Sequence, residues 1–347
     1  MRFYTRQHQF YCGIDLHARS IYVCILNQEG EVLVHRNLKA KPHAFLAVIA
    51  PYREDLVVAV ECMFTWYWIA DLCAQEGLTF VLGHALYMMA IHGGKAKNDR
   101  IDSYKIAHLL RGGNVPFSYV YPQPMRATRD LLRRRNFLMR KRAELLAHIQ
   151  NTNAQYNLPE FDGSLRYPAN REDLAEHFTD DSVKKSIETD LALIEVYDKH
   201  LKEVELYPAR HARIDDPNRY HLLKTVPGVG QILGLVLLYE IHDIARFPRV
   251  PDFVSYCLLI RSSKESAGKK LGTGGKKIGN AHLKWAFSEA TCLFLRKNGA
   301  AQKYLQKLEA RHGKGKALGI LSRKLATAVY YMLKRQEAFD MKKFFET

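Results

Sequence analysis

Several familiar signatures are missing from this sequence. The apolar run Ile232 to Leu238 is far too short to cross a bilayer, and Met1 to Phe10 carries charge without the apolar core of a secretory signal. The six cysteines, Cys12, Cys24, Cys62, Cys73, Cys257 and Cys292, form no Cys-x-x-Cys pair and have no histidine cluster beside them. That argues against a zinc site and for reduced thiols in a soluble, cytoplasmic protein. There is no Gly-x-x-x-x-Gly-Lys-Ser/Thr loop for a nucleotide and no Gly-x-Ser-x-Gly elbow of a serine hydrolase. Acidic residues are also scarce: 36 Asp and Glu against 52 Lys and Arg leave a net charge of +16 on 347 residues. Such an excess calls for a polyanionic partner, most commonly nucleic acid. A hydrophobic content of 47% supplies more than one core, and the length suggests two or three domains.

The first third alternates between strand and helix patterns. Tyr11 to His17, Ser20 to Leu26 and Glu31 to Leu38 form a three-strand meander with a turn at Glu29-Gly30. A short helix opened by proline follows over Pro42 to Ala50. Leu56 to Val60 is a buried strand, Trp66 to Glu76 a helix, Leu78 to Leu82 a strand, and Arg100 to Arg111 a helix ending at Gly112-Gly113. This is an α/β domain with a mixed sheet, assigned to residues 1–120. Val120 to Pro124 is a linker. Arg126 to Arg142 is a basic amphipathic helix with Leu131, Leu138 and Leu145 at seven-residue spacing, and Val183 to Val204 is a second helix carrying Ile187, Leu191, Ile194 and Leu201 on one stripe. The two make a helical hairpin or coiled coil over residues 121–207, whose role is packing, dimerisation or gripping nucleic acid. Pro208 to Arg219 is a second linker, and residues 208–347 form a mostly helical domain.

Four acids stand where a metal site needs them. Asp15 ends the first strand, and Glu61 follows five apolar residues, where a charge requires a partner or a metal. Asp99 and Asp102, three apart at the start of a helix, share one face. Phosphoryl transfer from DNA uses metal ions to neutralise the phosphate, and hard Mg²⁺ takes oxygen ligands. Gly13-Ile14-Asp15-Leu16-His17, Val60-Glu61 and Lys97-Asn98-Asp99-Arg100-Ile101-Asp102 resemble the DEDD motif of an insertion-sequence transposase family. That family includes Piv-type DNA invertases and bridge-RNA-guided recombinases. The resemblance implies an RNase H-like, RuvC-like N-terminal domain with Asp15, Glu61, Asp99 and Asp102 as ligands of Mg²⁺, with Mn²⁺ as the alternative.

The C-terminal third carries a second constellation. Leu222 to Gly230 ends in Pro-Gly-Val-Gly at the start of an apolar helix, where Gly228 and Gly230 would expose backbone N–H groups to a phosphate in a helix-hairpin-helix-like element. Arg261 to Lys284 is rich in lysine and glycine. Its Lys269, Lys270, Lys276 and Lys277, together with Arg133, Arg134 and Arg135 of the basic helix, are the expected nucleic-acid contacts. Asn280 caps a helix from Ala281 to Arg296 with Leu283, Phe287 and Phe294 facing a core. Ser266-Ala267-Gly268-Lys269 with Lys277-Ile278-Gly279-Asn280 resembles the serine domain of the same family, which implies Ser266 as nucleophile, with Ser262 and Ser263 as neighbours that an alignment gap would favour instead. The resemblance further implies DNA strand exchange through a phosphoserine, donor and target DNA and a non-coding bridge RNA as partners, dimers assembling to tetramers, and a nucleoid-associated location. A metal-dependent nuclease without a covalent intermediate is the alternative function, and a non-catalytic DNA-binding protein the next.

Overall fold

The computed structural model describes residues 2–92, 98–210, 216–260, 262–274 and 278–346. The chain divides into two compact units, Met1–Gln123 and Pro124–Thr347. The boundary falls within residues 120–124, read above as a linker, of which Gln123 and Pro124 belong to the first turn of a helix.

In the first unit the order is β1 (Phe3–Tyr4), β2 (Phe10–Leu16), β3 (Ser20–Leu26), β4 (Val32–Lys39), α1 (Pro42–Ile49), β5 (Leu56–Glu61), α2 (Tyr67–Gln75), β6 (Thr79–Gly83), α3 (Ala85–His92), α4 (Asp99–Arg111) and β7 (Val115–Pro116). Strands β4-β3-β2-β5-β6 form one mixed sheet, with β2 antiparallel to β3 and parallel to β5. The expected meander and the later strands are all present. Alternate residues of β5 enter different cores: Val58 and Val60 pack with Phe45, Ile69 and Cys73, whereas Val57 and Ala59 pack with Ile106, Leu109 and Leu110 of α4. A strand covered on both faces has no polar side, hence its continuous apolar run. Helix α3 and the short β1–β7 pair were not foreseen. Each is too brief to carry a periodic signal.

The second unit opens with two long helices, α5 (Gln123–Gln155) and α6 (Asp181–Arg210). Pro124 fits the first turn of α5, where its missing N–H costs nothing. The pair is antiparallel, as three ion pairs at steadily opposed positions show: Arg135–Glu205 (2.5 Å), Arg142–Asp198 (2.6 Å) and His148–Asp190 (2.5 Å). Ile187, Ile194 and Leu201 are buried as expected. The leucine heptad of α5 is not its buried face: Leu131, Leu138 and Leu145 are half-buried, while Met125, Arg126, Arg129, Leu132, Asn136, Arg142 and Ile149 are buried. Arginines take core-facing positions because acids lie opposite them. The expected linker at Pro208 is a second correction, since α6 runs through it to Arg210. A proline in the last turn of so long a helix removes one hydrogen bond of many.

The remainder comprises α7 (Pro217–Lys224), α8 (Gln231–Ile241), α9 (Val250–Tyr256), β8 (Ser262–Ser266), β9 (Lys269–Gly274), α10 (Ala281–Phe294), α11 (Gly299–His312), α12 (Lys314–Arg335) and α13 (Met341–Glu346). Leu283, Phe287 and Phe294 are buried, as their spacing predicts. Among the described residues no helix is long and apolar enough to cross a membrane.

One polar cluster ties this unit together. Glu240, on the otherwise apolar α8, is 2% exposed. It accepts hydrogen bonds from Arg129 Nε (3.0 Å), Arg133 Nε (2.6 Å) and Nη2 (3.0 Å), and Asn280 Nδ2 (2.8 Å). Burial alone would push this carboxyl up. The hydrogen bond from Arg133, the charges of Arg129 and Arg133 and the bond from Asn280 override it and hold the pKa at about 2. Asn280 also caps α10, its side chain accepting from the N–H groups of His282 and Leu283. Glu240 thus joins α5, α8 and the start of α10. Because its folded pKa lies below the ordinary 4.5, the stability it supplies is complete above 4.5 and is lost as pH falls toward about 2. Glu240→Gln leaves two arginines short of a counter-charge and should cost about 3 kcal/mol at neutral pH. Urea titrations should show that loss, together with a shallower acid dependence in the variant; identical titrations for the two proteins would contradict it.

Candidate active site

Strand β2 delivers Asp15 to its C-terminal end, and β5 delivers Glu61 to the adjacent one. The two strands pair in parallel register up to Ile14–Val60, so Asp15 and Glu61 stand one step further at equivalent positions. Alternation turns Tyr11, Gly13 and Asp15 toward the α4 side of the sheet. Gly13 is essential there: a Cβ on it would lie 2.2 Å from the Ala107 nitrogen and 2.4 Å from the Ser103 oxygen, both backbone atoms of α4. The bare glycine lets α4 lie on the sheet. Asn98 fixes the start of that helix, its side chain accepting from Ile101 N–H at 2.8 Å. Asp99 and Asp102 therefore project from the first turn of α4, where the helix dipole favours acids.

His17 completes the group. Its Nε2 is 3.3 Å from Asp15 Oδ2 and 3.6 Å from Asp99 Oδ1. Asp15, His17 and Asp99 bring one potential ligand atom each to within 4.8 Å of one another. Burial raises the Asp15 pKa above its ordinary value, His17 partly offsets this, and the negative charges of Asp99 and Asp102 raise it further. Asp102 itself lies 3.7 Å from Lys105 Nζ. So Asp15 and Asp99 are gathered directly, Asp102 is close enough to repel Asp15, and half-buried Glu61 occupies the neighbouring strand end. His17 was missed as a site residue, although a period of two places it on the same side as Asp15.

In the second unit, Ser266 is the last residue of β8 and is exposed. The lysine-rich segment forms a two-strand hairpin here. Ala267 (φ 49°) and Gly268 (φ 72°) make its two-residue turn, and Ser266 pairs with Lys269 across it. Positive φ at both turn positions matches the twist of the strands. Lys270 lies on β9, opposite Glu265; Lys276 and Lys277 lie outside the described residues. Arg133 is bonded to Glu240 and Arg135 to Glu205, whereas exposed Arg134 stands 4.8 Å over the Phe137 ring. Gly230 is the exposed N-cap of α8. Gly228 (φ 86°) allows close packing on α10, since a Cβ there would come within 2.6 Å of the Phe294 nitrogen.

Comparison with known protein families matches residues 12–157 to a DEDD-type transposase domain of IS110 elements, described as a transposase, and residues 220–306 to the domain described as Transposase IS116/IS110/IS902 family. The chain belongs to the IS110/IS116/IS902 transposase family. Over 339 residues it is 23% identical to the transposase for insertion sequence element IS1111A of Coxiella burnetii (strain RSA 493 / Nine Mile phase I), an alignment covering 94% of this chain and 90% of the relative. The first match contains all four acids of this transposase, and the second contains the β8–β9 hairpin.

The DEDD type of the first domain points to divalent-metal use, and the donor set here fits it. Carboxylate oxygens suit hard cations, and a cation would relieve the repulsion from Asp99 and Asp102 that adds to burial in raising the Asp15 pKa. With that pKa raised, ionised Asp15 costs stability as pH climbs through the interval above 3.8. Asp15→Asn should therefore melt higher than the wild-type transposase at neutral pH without divalent cation. Saturating Mg²⁺ or Mn²⁺ should stabilise the wild type, by about 2.7 kcal/mol at a hundred times Kd, and the variant far less. Equal cation responses in thermal-shift assays would exclude Asp15 as a ligand.

Proposed function

We propose that this transposase excises and integrates its element by metal-assisted phosphoryl transfer, with Ser266 as the attacking group. The observation that carries the reading is the acidic group at the ends of β2 and β5 and the start of α4, within the domain matched to DEDD transposases. The strand order, three antiparallel strands followed by two parallel ones, supports an RNase H-like (RuvC-like) assignment for this domain. A helical hairpin over residues 121–207 and a serine domain over 208–347 complete the proposed organisation.

Asp15, Glu61, Asp99 and Asp102 hold Mg²⁺ or Mn²⁺. The bound ion supplies charge neutralisation at the phosphate and lowers the cost of developing charge on the attacking and leaving oxygens. Ser266 Oγ attacks the phosphorus while the bond to the sugar oxygen breaks. The serine proton is given up to a base and the departing sugar oxygen takes up a proton, so the phosphodiester energy is conserved in a phosphoserine and rejoining needs no ATP. Exposure at a hairpin tip leaves Ser266 open to DNA, and Lys269 opposite it offers a cation to the phosphate. Dimers assembling to tetramers are the proposed working form. The positive balance supports donor and target DNA as substrates, a bridge RNA as guide and a nucleoid-associated location. Arg134, Gly230, Lys269 and Lys270 are the proposed phosphate contacts, joined by Lys276 and Lys277; Arg133 and Arg135 are already answered by Glu240 and Glu205, and Gly228 serves the packing on α10.

Ser266→Ala should retain DNA binding and lose both strand cleavage and the covalent adduct. Asp15→Ala, Glu61→Ala, Asp99→Ala and Asp102→Ala should each lose strand exchange by a hundredfold or more, in line with the roughly 10²–10³-fold effects of removing one electrostatic stabiliser. Labelled DNA on denaturing gels, with mass spectrometry of the adducted peptide, reads all five. An adduct on Ser262 or Ser263 would move the nucleophile. Cleavage by Ser266→Ala with no wild-type adduct would replace the recombinase with a nuclease that cuts by water.

A further inference from the structure

Between Arg296 and Lys324 the sequence carries nine Lys and Arg against a single acid, Glu309. The structure exposes the centre of this excess along α11 and at the start of α12, which follows it directly. Lys303, Lys307 and Arg311 recur every four residues on α11, so they share a face. All three are exposed, while the other side of α11 buries Ala301. Gly313 (φ 78°) then turns the chain into α12, whose first turn presents exposed Lys314 and Lys316. That turn has no acid and no side-chain cap. Cations in a first turn oppose the helix dipole. None of these five side chains has an ion-pair partner among the described residues. In the free protein this is an accumulation of like charge, with Lys314 and Lys316 set against the dipole of α12; against a polyanion it becomes favourable.

We propose that the α11–α12 face, centred on Lys303, Lys307, Arg311, Lys314 and Lys316, is a binding surface for the phosphate backbone of duplex DNA. It extends beyond the C-terminal family match, which ends at residue 306. The charge chemistry suits any nucleic acid backbone, but the face favours a duplex. Tyr304, the one Phe, Tyr or Trp between residues 299 and 316, is half-buried with Lys324 Nζ 5.1 Å from its ring centroid, which leaves no exposed ring to stack an unpaired base. The surface would grip DNA without reading its sequence, at a distance in the chain from Ser266. The proposal rests on the reading of the protein as a DNA-acting transposase.

The test uses the full-length protein, a fluorescent duplex of unrelated sequence, a single strand and a structured RNA, titrated over a range of salt. Replacing Lys303, Lys307 and Arg311 together by glutamine should lower the slope of log affinity against log salt by about 2–3 and weaken duplex binding about a hundredfold near 0.15 M salt, as expected for roughly three lost phosphate contacts. Lys314→Glu with Lys316→Glu should weaken duplex binding and at the same time raise the melting temperature, because acids suit a helix start. A purely structural role would lower it. Unchanged duplex affinity and slope in both variants, or a loss confined to RNA or to the single strand, would overturn the surface. A wild-type protein that binds no DNA would instead overturn the transposase reading beneath it.

Discussion

At Gly13 the central strand has no side chain, and the backbone of α4 occupies the space, with Ala107 N and Ser103 O closer than any Cβ would permit. The geometry of the acidic group depends on that approach. Asp15 is two residues along β2 from the contact, and Asp99 is one helical turn from Ser103. Once the helix is seated against the sheet, its first turn has little freedom to place its acids elsewhere. The cap from Asn98 then fixes where the helix begins. Repulsion among the carboxylates is thus imposed by apolar packing elsewhere, which is how a fold can hold like charges together before a cation arrives.

A chain with this much positive charge must also separate cations that fold it from cations that meet a partner. Helix α5 shows both uses. Arg129 and Arg133 are bound to buried Glu240, Arg135 to Glu205 and Arg142 to Asp198, whereas Arg134 and Arg140 face solvent. The internal set decides how α5, α6, α8 and α10 pack, because each guanidinium that leaves water needs its carboxylate in a defined place. The cations left over for a polyanion are therefore fewer on α5 than its sequence suggests, and more numerous on α11 and α12, where Lys303, Lys307, Arg311, Lys314 and Lys316 have no ion-pair partner among the described residues.

Much of this was legible in the sequence, for physical reasons that differ by element. Strands β2 to β6 announced themselves through alternation or unbroken apolar runs, and the interruption of that pattern by Asp15 and Glu61 marked both as residues with a task. Asn280 was legible as a cap because its side chain is suited to accept from the first turn of a helix. The buried face of α5 was not, because it is lined by arginine and asparagine, and hydrophobic periodicity cannot reveal a polar residue buried by its partner. Glu240 was hidden for the same reason: within an apolar helix it is a single exception whose meaning lies with arginines more than a hundred residues earlier. The β8–β9 hairpin was obscured by glycines and lysines, which favour no strand, and its turn uses an alanine in a left-handed conformation where glycine or asparagine is the usual signal. His17 was overlooked because it was weighed as part of a motif and not as a neighbour of Asp15 on the same face.

The two units carry complementary chemistry. The serine hydroxyl of β8 is a weak nucleophile at neutral pH, and the lysine opposite it offers a cation that can attract a phosphate. The acids of the first unit have the opposite endowment: they can collect a cation and accept protons, yet contain no hydroxyl that would conserve the energy of a broken strand. On the proposed reading, cutting DNA draws on both sets. That requirement bears on the basic surfaces proposed above to bind DNA. On that reading, binding through α5 or through α11 and α12 would not be enough for cleavage, because the serine without the acids and their cation lacks the electrostatic help that phosphoryl transfer needs.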